Sequence, residues 1–258
     1  MRIIVLIKEV PDTYGERHLN LQTGLVERAS AERVLDEICE RTVEAALVIA
    51  EANPDTHIIV VSMGPATATD AIRKALAMGA DEAVHVVDDA LAGADVMVTA
   101  QVLAAVVRRR EADLVMTGNA STDSSAGVMG ALLAELLGLP QATFLSSIAS
   151  DGTTVRGTRA TDTGIATVEA DLPAVVSITE ALPDPRFPGL KGIMAAKKKP
   201  VETLTASDLG VDTAGVEAAY AINISVAARP ARTGGTTVHD EGDAGAQLAE
   251  FLIANQLA

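Results

Sequence analysis

Ahead of residue 118, short continuous apolar runs alternate with stretches whose apolar residues recur at helical intervals, and few folds accept that order. Ile3 to Ile7 is one such run, followed by His57 to Met63 (HIIVVSM), Glu82 to Val87 and Asp113 to Thr117 (DLVMT). Between them, Ala31 to Ala52 sets Val34, Leu35, Ile38, Cys39, Val43, Ala46 and Leu47 at helical spacing. Thr67 to Met78 sets Ile72, Ala75, Leu76 and Ala77 along one side, and Val96 to Arg110 gives a third helix. Runs that are apolar throughout, not at alternate positions, belong to strands covered on both faces. Repetition of strand, helix, strand with right-handed crossovers makes the sheet parallel. The expectation is an α/β, doubly wound, mostly parallel sheet.

Beyond Pro140 the rhythm shortens. Ala142 to Ile148, Thr153 to Thr158, Ile165 to Glu169 and Ala174 to Ile178 read as strands divided by Asp-Gly and Thr-Gly turns. They are expected to extend the same sheet in antiparallel fashion. Residues 180–200 are rich in Pro and Lys, 209–245 in Ala, Gly and Thr, and Ala246 to Leu257 resumes a helical pattern with Leu248, Phe251, Leu252 and Ile253. The division expected is a domain over 1–208, including an exposed segment at 184–199, and an arm over 209–258 whose apolar helix needs a surface to cover. Aromatics make up only 2% of the 258 residues and Trp is absent, so the core must be built from Ala, Val, Ile and Leu.

A formal charge of -15 repels phosphate backbones and argues against nucleic acid or an anionic membrane as partner. Cys39 is the only cysteine, which excludes an intrachain disulfide and a multi-cysteine metal site and fits a reducing cytoplasm. The opening apolar run ends at Lys8 and is too short for a membrane span or a signal peptide. His18, His57, His85 and His239 lie without metal-ligand spacing.

The strand ending at Thr117 runs into GNASTDSSAG at 118–127, with a helix beginning near Val128. Small residues between a strand and a helix leave backbone N–H groups free at the positive end of a helix dipole, which suits a phosphate. In an open parallel sheet ligands also sit beyond the strands' carboxyl ends. An ordinary turn in which Ser or Asp caps the helix has the same composition. Neither GxxxxGK[ST] nor GxGxxG is present, and no GxSxG, HExxH or Cys with a His partner marks a catalytic centre. Asp12, Asp36, Glu37 and Glu40 fall near the mouth of the sheet, where helix ends and caps account for them. The segment Asp184-Pro185-Arg186-Phe187-Pro188-Gly189-Leu190-Lys191-Gly192-Ile193-Met194 holds Phe187 and Leu190 on a Pro- and Gly-rich loop, and Ile193 to Lys199 reads as a short basic helix. On so acidic a chain, three consecutive lysines make a local positive patch that steers an acidic partner.

That segment, with Leu172-Pro173-Ala174-Val175-Val176 before it and Ala195-Ala196-Lys197-Lys198-Lys199 after it, resembles the signature region of the electron-transfer flavoprotein beta family. The likeness extends to the Val-Leu-Ile-Lys start, Asp36 to Glu40 leading into VEAAL, Val61-Ser62-Met63-Gly64-Pro65, Ala75 to Asp81, and Gly138-Leu139-Pro140-Gln141. It is strong over 1–206 and weak beyond. The resemblance implies a Rossmann-like fold of adenine-nucleotide-binding type and a heterodimer, with no enzyme activity of its own. An alpha subunit holds the FAD, and the beta subunit buries a structural AMP, or a second FAD in electron-bifurcating relatives. It further implies electron shuttling from acyl-CoA and related dehydrogenases to a membrane quinone oxidoreductase, without direct membrane insertion.

By similarity the nucleotide pocket falls on Leu6, on Asp36, Glu37, Ile38 and Cys39, and on Met63. It continues through Ser121, Thr122, Asp123, Ser124, Ser125, Ala126, Gly127, Val128, Met129, Gly130, Ala131 and Leu132. Dehydrogenase docking falls on Phe187, Leu190, Ile193, Met194, Lys197 and Lys198, with Leu190 as the inserted anchor. Asp36-Glu37 stands where many relatives have Asn-Pro, and Ser124-Ser125 departs from their acidic or Gly-rich loop; both changes touch the pocket. Two other readings fit the core less well. A stand-alone adenine-nucleotide sensor similar to universal stress proteins would need a G-x-x-G…G-[ST] phosphate loop, which the corresponding loop lacks, and an ATP-pyrophosphatase-type enzyme an SGGxDS motif after the first strand, where Lys8-Glu9-Val10-Pro11 stands instead.

Overall fold

The computed structural model describes residues 1–211, 219–231, 234–235 and 237–257; residues 212–218, 232, 233, 236 and 258, all within the stretch read as an arm, lie outside the described residues. In chain order the elements are β1 (Arg2–Leu6), β2 (Glu9–Pro11), β3 (Arg33–Leu35), α1 (Glu37–Ala52), β4 (His57–Met63), α2 (Thr69–Met78), β5 (Glu82–Val86), α3 (Val96–Arg110) and β6 (Leu114–Gly118). There follow α4 (Met129–Leu137), β7 (Gln141–Leu145), β8 (Ser147–Ser150), β9 (Thr154–Thr161), β10 (Gly164–Asp171), β11 (Ala174–Ile178), α5 (Leu190–Ala196), β12 (Val201–Leu204) and α6 (Ala244–Ala254).

Seven strands form one sheet in the order β12-β5-β4-β1-β6-β11-β7, and every neighbouring pair in it is parallel. The apolar runs dictate this, because period-two alternation sends successive side chains to opposite faces and both faces are covered. Ile3, Val5, Ile58 and Val60 pack into one core layer with Val43 and Ala46 of α1 and Ile72 and Leu76 of α2. Ile4, Leu6, Ile59 and Val61 pack into the other with Val102 and Val106 of α3 and Leu133 of α4. Ile3, Ile4, Ile58 and Ile59 are each at most 2% exposed, so each contributes about 2 kcal/mol from burial.

The antiparallel part is present as a sheet of its own, in the order β10-β9-β8. Ala174 to Ile178, expected to pair antiparallel with those pieces, instead runs parallel between β6 and β7. Its five residues are all buried, and such a strand needs cover on both faces, whereas β10 is exposed along most of its length. The run from Ala142 to Ile148 breaks at Ser146, because Phe144 turns into the left-handed region with φ at +58° and the chain passes from one sheet to the other. Upstream, Arg33 to Leu35, read as helical, pairs antiparallel with Glu9 to Pro11. The intervening residues fold as an exposed hairpin closed by a bridge from Leu19 to Val26, and α1 starts only at Glu37.

Two compact units divide at Ser225 and Val226. Within the first, Leu209 and Val211 pack on the second core layer, and the backbone N–H groups of Tyr220 and Ala221 donate to the Asp95 carboxylate. Within the second, α6 buries no residue, and Leu248, Phe251 and Ile253 are each more than half exposed.

Candidate functional site

Strand order reverses between β1 and β6. Connections that leave these strands for opposite faces open a crevice at their carboxyl ends, with α1 on one face and α4 on the other. Both walls carry polar groups. From the α1 side, the Asp36 carboxylate accepts a hydrogen bond from Thr122 N–H at 3.0 Å. From the end of β1, Lys8 Nζ reaches Asp123 Oδ1 at 2.7 Å and Ser121 Oγ at 3.3 Å. From the hairpin, Arg28 pairs with the other Asp123 oxygen, and Arg17 donates to the Thr122 carbonyl.

The loop between β6 and α4 is shaped to leave N–H groups unspent. Ser125 and Gly127 both take left-handed backbone, with φ at +52° and +68°, and Gly127 is the residue type that does so at least cost. Val128 at the head of α4 supplies no side-chain cap, so the first-turn N–H groups, the orphan donors of any helix, have no side chain on them. Among buried side-chain atoms, Asp36 Oδ1, Thr122 Oγ1 and Arg28 Nη1 have no hydrogen-bond partner, which is uncommon enough to require a reason.

The two carboxylates are shifted in opposite directions, each for a physical cause. Burial pushes Asp36 up, against the hydrogen bond from Thr122 N–H that pulls it down, and Asp123 nearby adds repulsion. Burial also pushes Asp123 up, but Lys8 and Arg28 outweigh it and hold that carboxyl well below the usual range. A raised pKa in the folded state means that ionised Asp36 opposes folding at pH 7, a penalty that fades as pH falls through the folded value. Asp36→Asn keeps an oxygen for Thr122 N–H and removes the buried charge. It is expected to raise the thermal midpoint of the chain at pH 7 by a few degrees, with the gain shrinking toward pH 4; unfolding scans at the two pH values check this.

Of the other pocket residues expected from the sequence, Leu6 ends β1, Met63 ends β4, and Met129, Gly130, Ala131 and Leu132 open α4. Ile38 and Cys39 are buried in the core beneath the crevice, where burial raises the thiol, while Glu37 is exposed beside Thr13. Lys8, Arg17 and Arg28 were missed. A lysine directly after the first strand of a doubly wound sheet is a readable signal; the two arginines depend on a fold-back of the hairpin that no local pattern announces.

The second region lies on α5 and the loop before it. Phe187 is 95% exposed and Leu190 77%, with Ile193 and Met194 beside them about half exposed. The scaffold beneath is tied down. Arg186 donates to Glu44 and Glu51 of α1, Arg41 holds the Leu182 carbonyl and Asp184, and Arg73 holds the Ala196 and Lys199 carbonyls. A Cβ at Gly192 would stand 2.3 Å from the Ala77 carbonyl oxygen, so only glycine lets α5 lie this close on α2. The expected patch of three lysines is reduced to two. Lys197 and Lys198 are exposed, but the Lys199 ammonium turns inward to the Leu76, Gly79 and Ala80 carbonyls at the end of α2, where a cation meets the negative end of the helix.

Comparison with known proteins gives these two regions a context. The electron transfer flavoprotein domain family matches residues 23–209. The chain is 47% identical to the electron transfer flavoprotein subunit beta of Mycobacterium leprae (strain TN), covering 99% of this chain and 98% of that one. It is 46% identical to the protein of the same name from Mycobacterium tuberculosis (strain ATCC 25618 / H37Rv), with the same coverage. It is also 33% identical to the caffeyl-CoA reductase-Etf complex subunit CarD of Acetobacterium woodii, covering 92% of this chain and 92% of that one.

Proposed function

The chain belongs to the electron transfer flavoprotein family as a beta subunit, and on that premise we propose that it is the non-catalytic half of a heterodimeric carrier, holding a structural AMP in the crevice between β1 and β6. The observation that carries the nucleotide half of this reading is the uncapped start of α4 together with a fully buried Asp36 that is bonded to the loop ahead of that helix through Thr122 N–H and keeps one unpartnered oxygen. Free N–H groups at a helix start fit a phosphate, Lys8 and Arg28 add positive charge beside it, and Asp36 Oδ1 and Thr122 Oγ1 remain to meet hydroxyl or amine donors. The residues therefore fit an adenine nucleotide. The redox chemistry belongs to an FAD held by the alpha subunit; the residues of this chain bind, orient and dock.

Docking is the second part of the proposal. The exposed Phe187, Leu190, Ile193 and Met194 form a small apolar plug for an acyl-CoA dehydrogenase, with Lys197 and Lys198 steering acidic surface toward it. The exposed apolar face of α6 is assigned to the alpha subunit. Electrons pass on to a membrane quinone oxidoreductase; among the described residues no helix is long and apolar enough to cross a membrane.

The test is to co-express the chain with its alpha subunit, denature the purified complex and identify the released nucleotides by mass spectrometry. One FAD and one AMP per heterodimer is the expected result. Two FAD would replace the structural AMP with a second flavin, and a chain that forms no heterodimer and retains only ATP or AMP would overturn the carrier reading.

A further inference from the structure

Phe144 stands one residue before the end of β7 with φ at +58°. Bulky side chains seldom occupy this region, and where surroundings hold them there the position is often part of a binding site. Here the amide N–H of Phe144 donates to the buried Ser177 Oγ at 2.8 Å, and the register of β7 against β11 slips between Val176 and Ile178. The ring is consequently 42% exposed, with its Cζ 3.8 Å from the place a Cβ on Gly127 would take. Core filling does not explain it: the chain has three Phe and two Tyr, and all five are exposed. The ring instead stands on the open side of Gly127 in the loop ahead of α4, at the distance where a side chain on that residue would meet it. An independent sign of a ligand beside that loop is Asp36 at the head of α1, which is fully buried, holds Thr122 N–H of the loop with one carboxylate oxygen and has no partner for the other.

We propose that Phe144 is a positioning residue for the phosphate loop: its ring, brought over Gly127 by a left-handed backbone, keeps the N–H groups ahead of α4 turned toward a bound nucleotide phosphate. This rests on the nucleotide reading given above. Strain at Phe144 is then the cost of placing a rigid wall where a strand would otherwise continue.

The substitution Phe144→Gly separates the two roles, because glycine accepts φ at +58° without strain but carries no ring. The heterodimer would be loaded with isotopically labelled AMP and chased with unlabelled AMP, and its thermal midpoint and subunit affinity measured in parallel. Phe144→Gly is expected to exchange AMP at least tenfold faster without lowering the midpoint, Ser177→Ala to exchange faster, and Phe144→Tyr to match the parent. Exchange unchanged in Phe144→Gly would overturn the inference, assigning the ring to packing if the midpoint falls and to the subunit interface if affinity falls. A parent heterodimer that retains no AMP would overturn the nucleotide reading itself, and this inference with it.

Discussion

Replacing Asp123 by asparagine is expected to destabilise the chain by about 2 kcal/mol at pH 7, a fall in thermal midpoint of roughly 4–8 °C for a chain of this size. The Asp123 side chain is completely buried and accepts from Lys8 and Arg28 at once. Removing one member of a buried ion pair costs about 3–5 kcal/mol when the partner is left charged and dry. Lys8 and Arg28 are about one-third exposed, so both regain water, which lowers the figure to the value given. Asp123 has a depressed folded pKa, so its contribution is complete above the unfolded value near about 4 and is lost as pH falls below it. Urea midpoints of parent and variant should therefore stay a constant distance apart from pH 8 to pH 5 and converge in more acid solution; a gap that widens on acidification would be the wrong sign. Nucleotide retention should fall as well. Freeing two cations beside a phosphate adds at most about 1 kcal/mol at partly exposed sites, less than the loss of the contact that ties both β1 and the hairpin to the loop, so the loss decides.

The regular part of this fold was legible because full burial leaves a plain signature. β1, β4 and β6 could be read to within a residue as uninterrupted apolar runs. α3 could be read at both ends, since Asp95 caps Val98 N–H at 2.9 Å and the chain turns left-handed at Glu111. Legibility fails where structure depends on distant partners. Three residues at Arg33 carry too little pattern to be separated from the helix that follows, and only their pairing with β2 makes them a strand. Lys197, Lys198 and Lys199 are identical in sequence, yet one of them completes the end of α2, bonding the carbonyl of Gly79 just past that helix and 120 residues earlier in the chain. The loop from Ser121 onward could be recognised as small and polar; that Lys8, Arg17 and Arg28 converge on it is a product of the crossover and the hairpin.

Leu190→Ala should leave heterodimer formation and flavin content as they are and slow reduction of the carrier by an acyl-CoA dehydrogenase by on the order of tenfold or more at limiting concentrations. The side chain is 77% exposed at the first residue of α5, so removing it takes nothing from the core. Its burial in a partner's pocket would contribute about 1.5–3 kcal/mol, which is a factor of roughly 10 to 150 in affinity. Leucine seldom dominates an interface, and what favours it here is the rigidity of its mount. Arg186 is tied to Glu44 and Glu51, Arg73 caps the far end of α5, and Gly192 lets that helix sit directly on α2. A plug already held in place loses little freedom on docking, so more of its burial energy appears as affinity. On the proposed docking, one small contact would fix the partner while the surrounding residues added little, so the complex would still dissociate quickly, as a carrier must. Stopped-flow reduction at several dehydrogenase concentrations separates the outcomes. A raised half-saturation concentration with an unchanged limiting rate assigns Leu190 to docking, a lowered limiting rate assigns it to orienting the flavin, and an unchanged profile removes it from the mechanism.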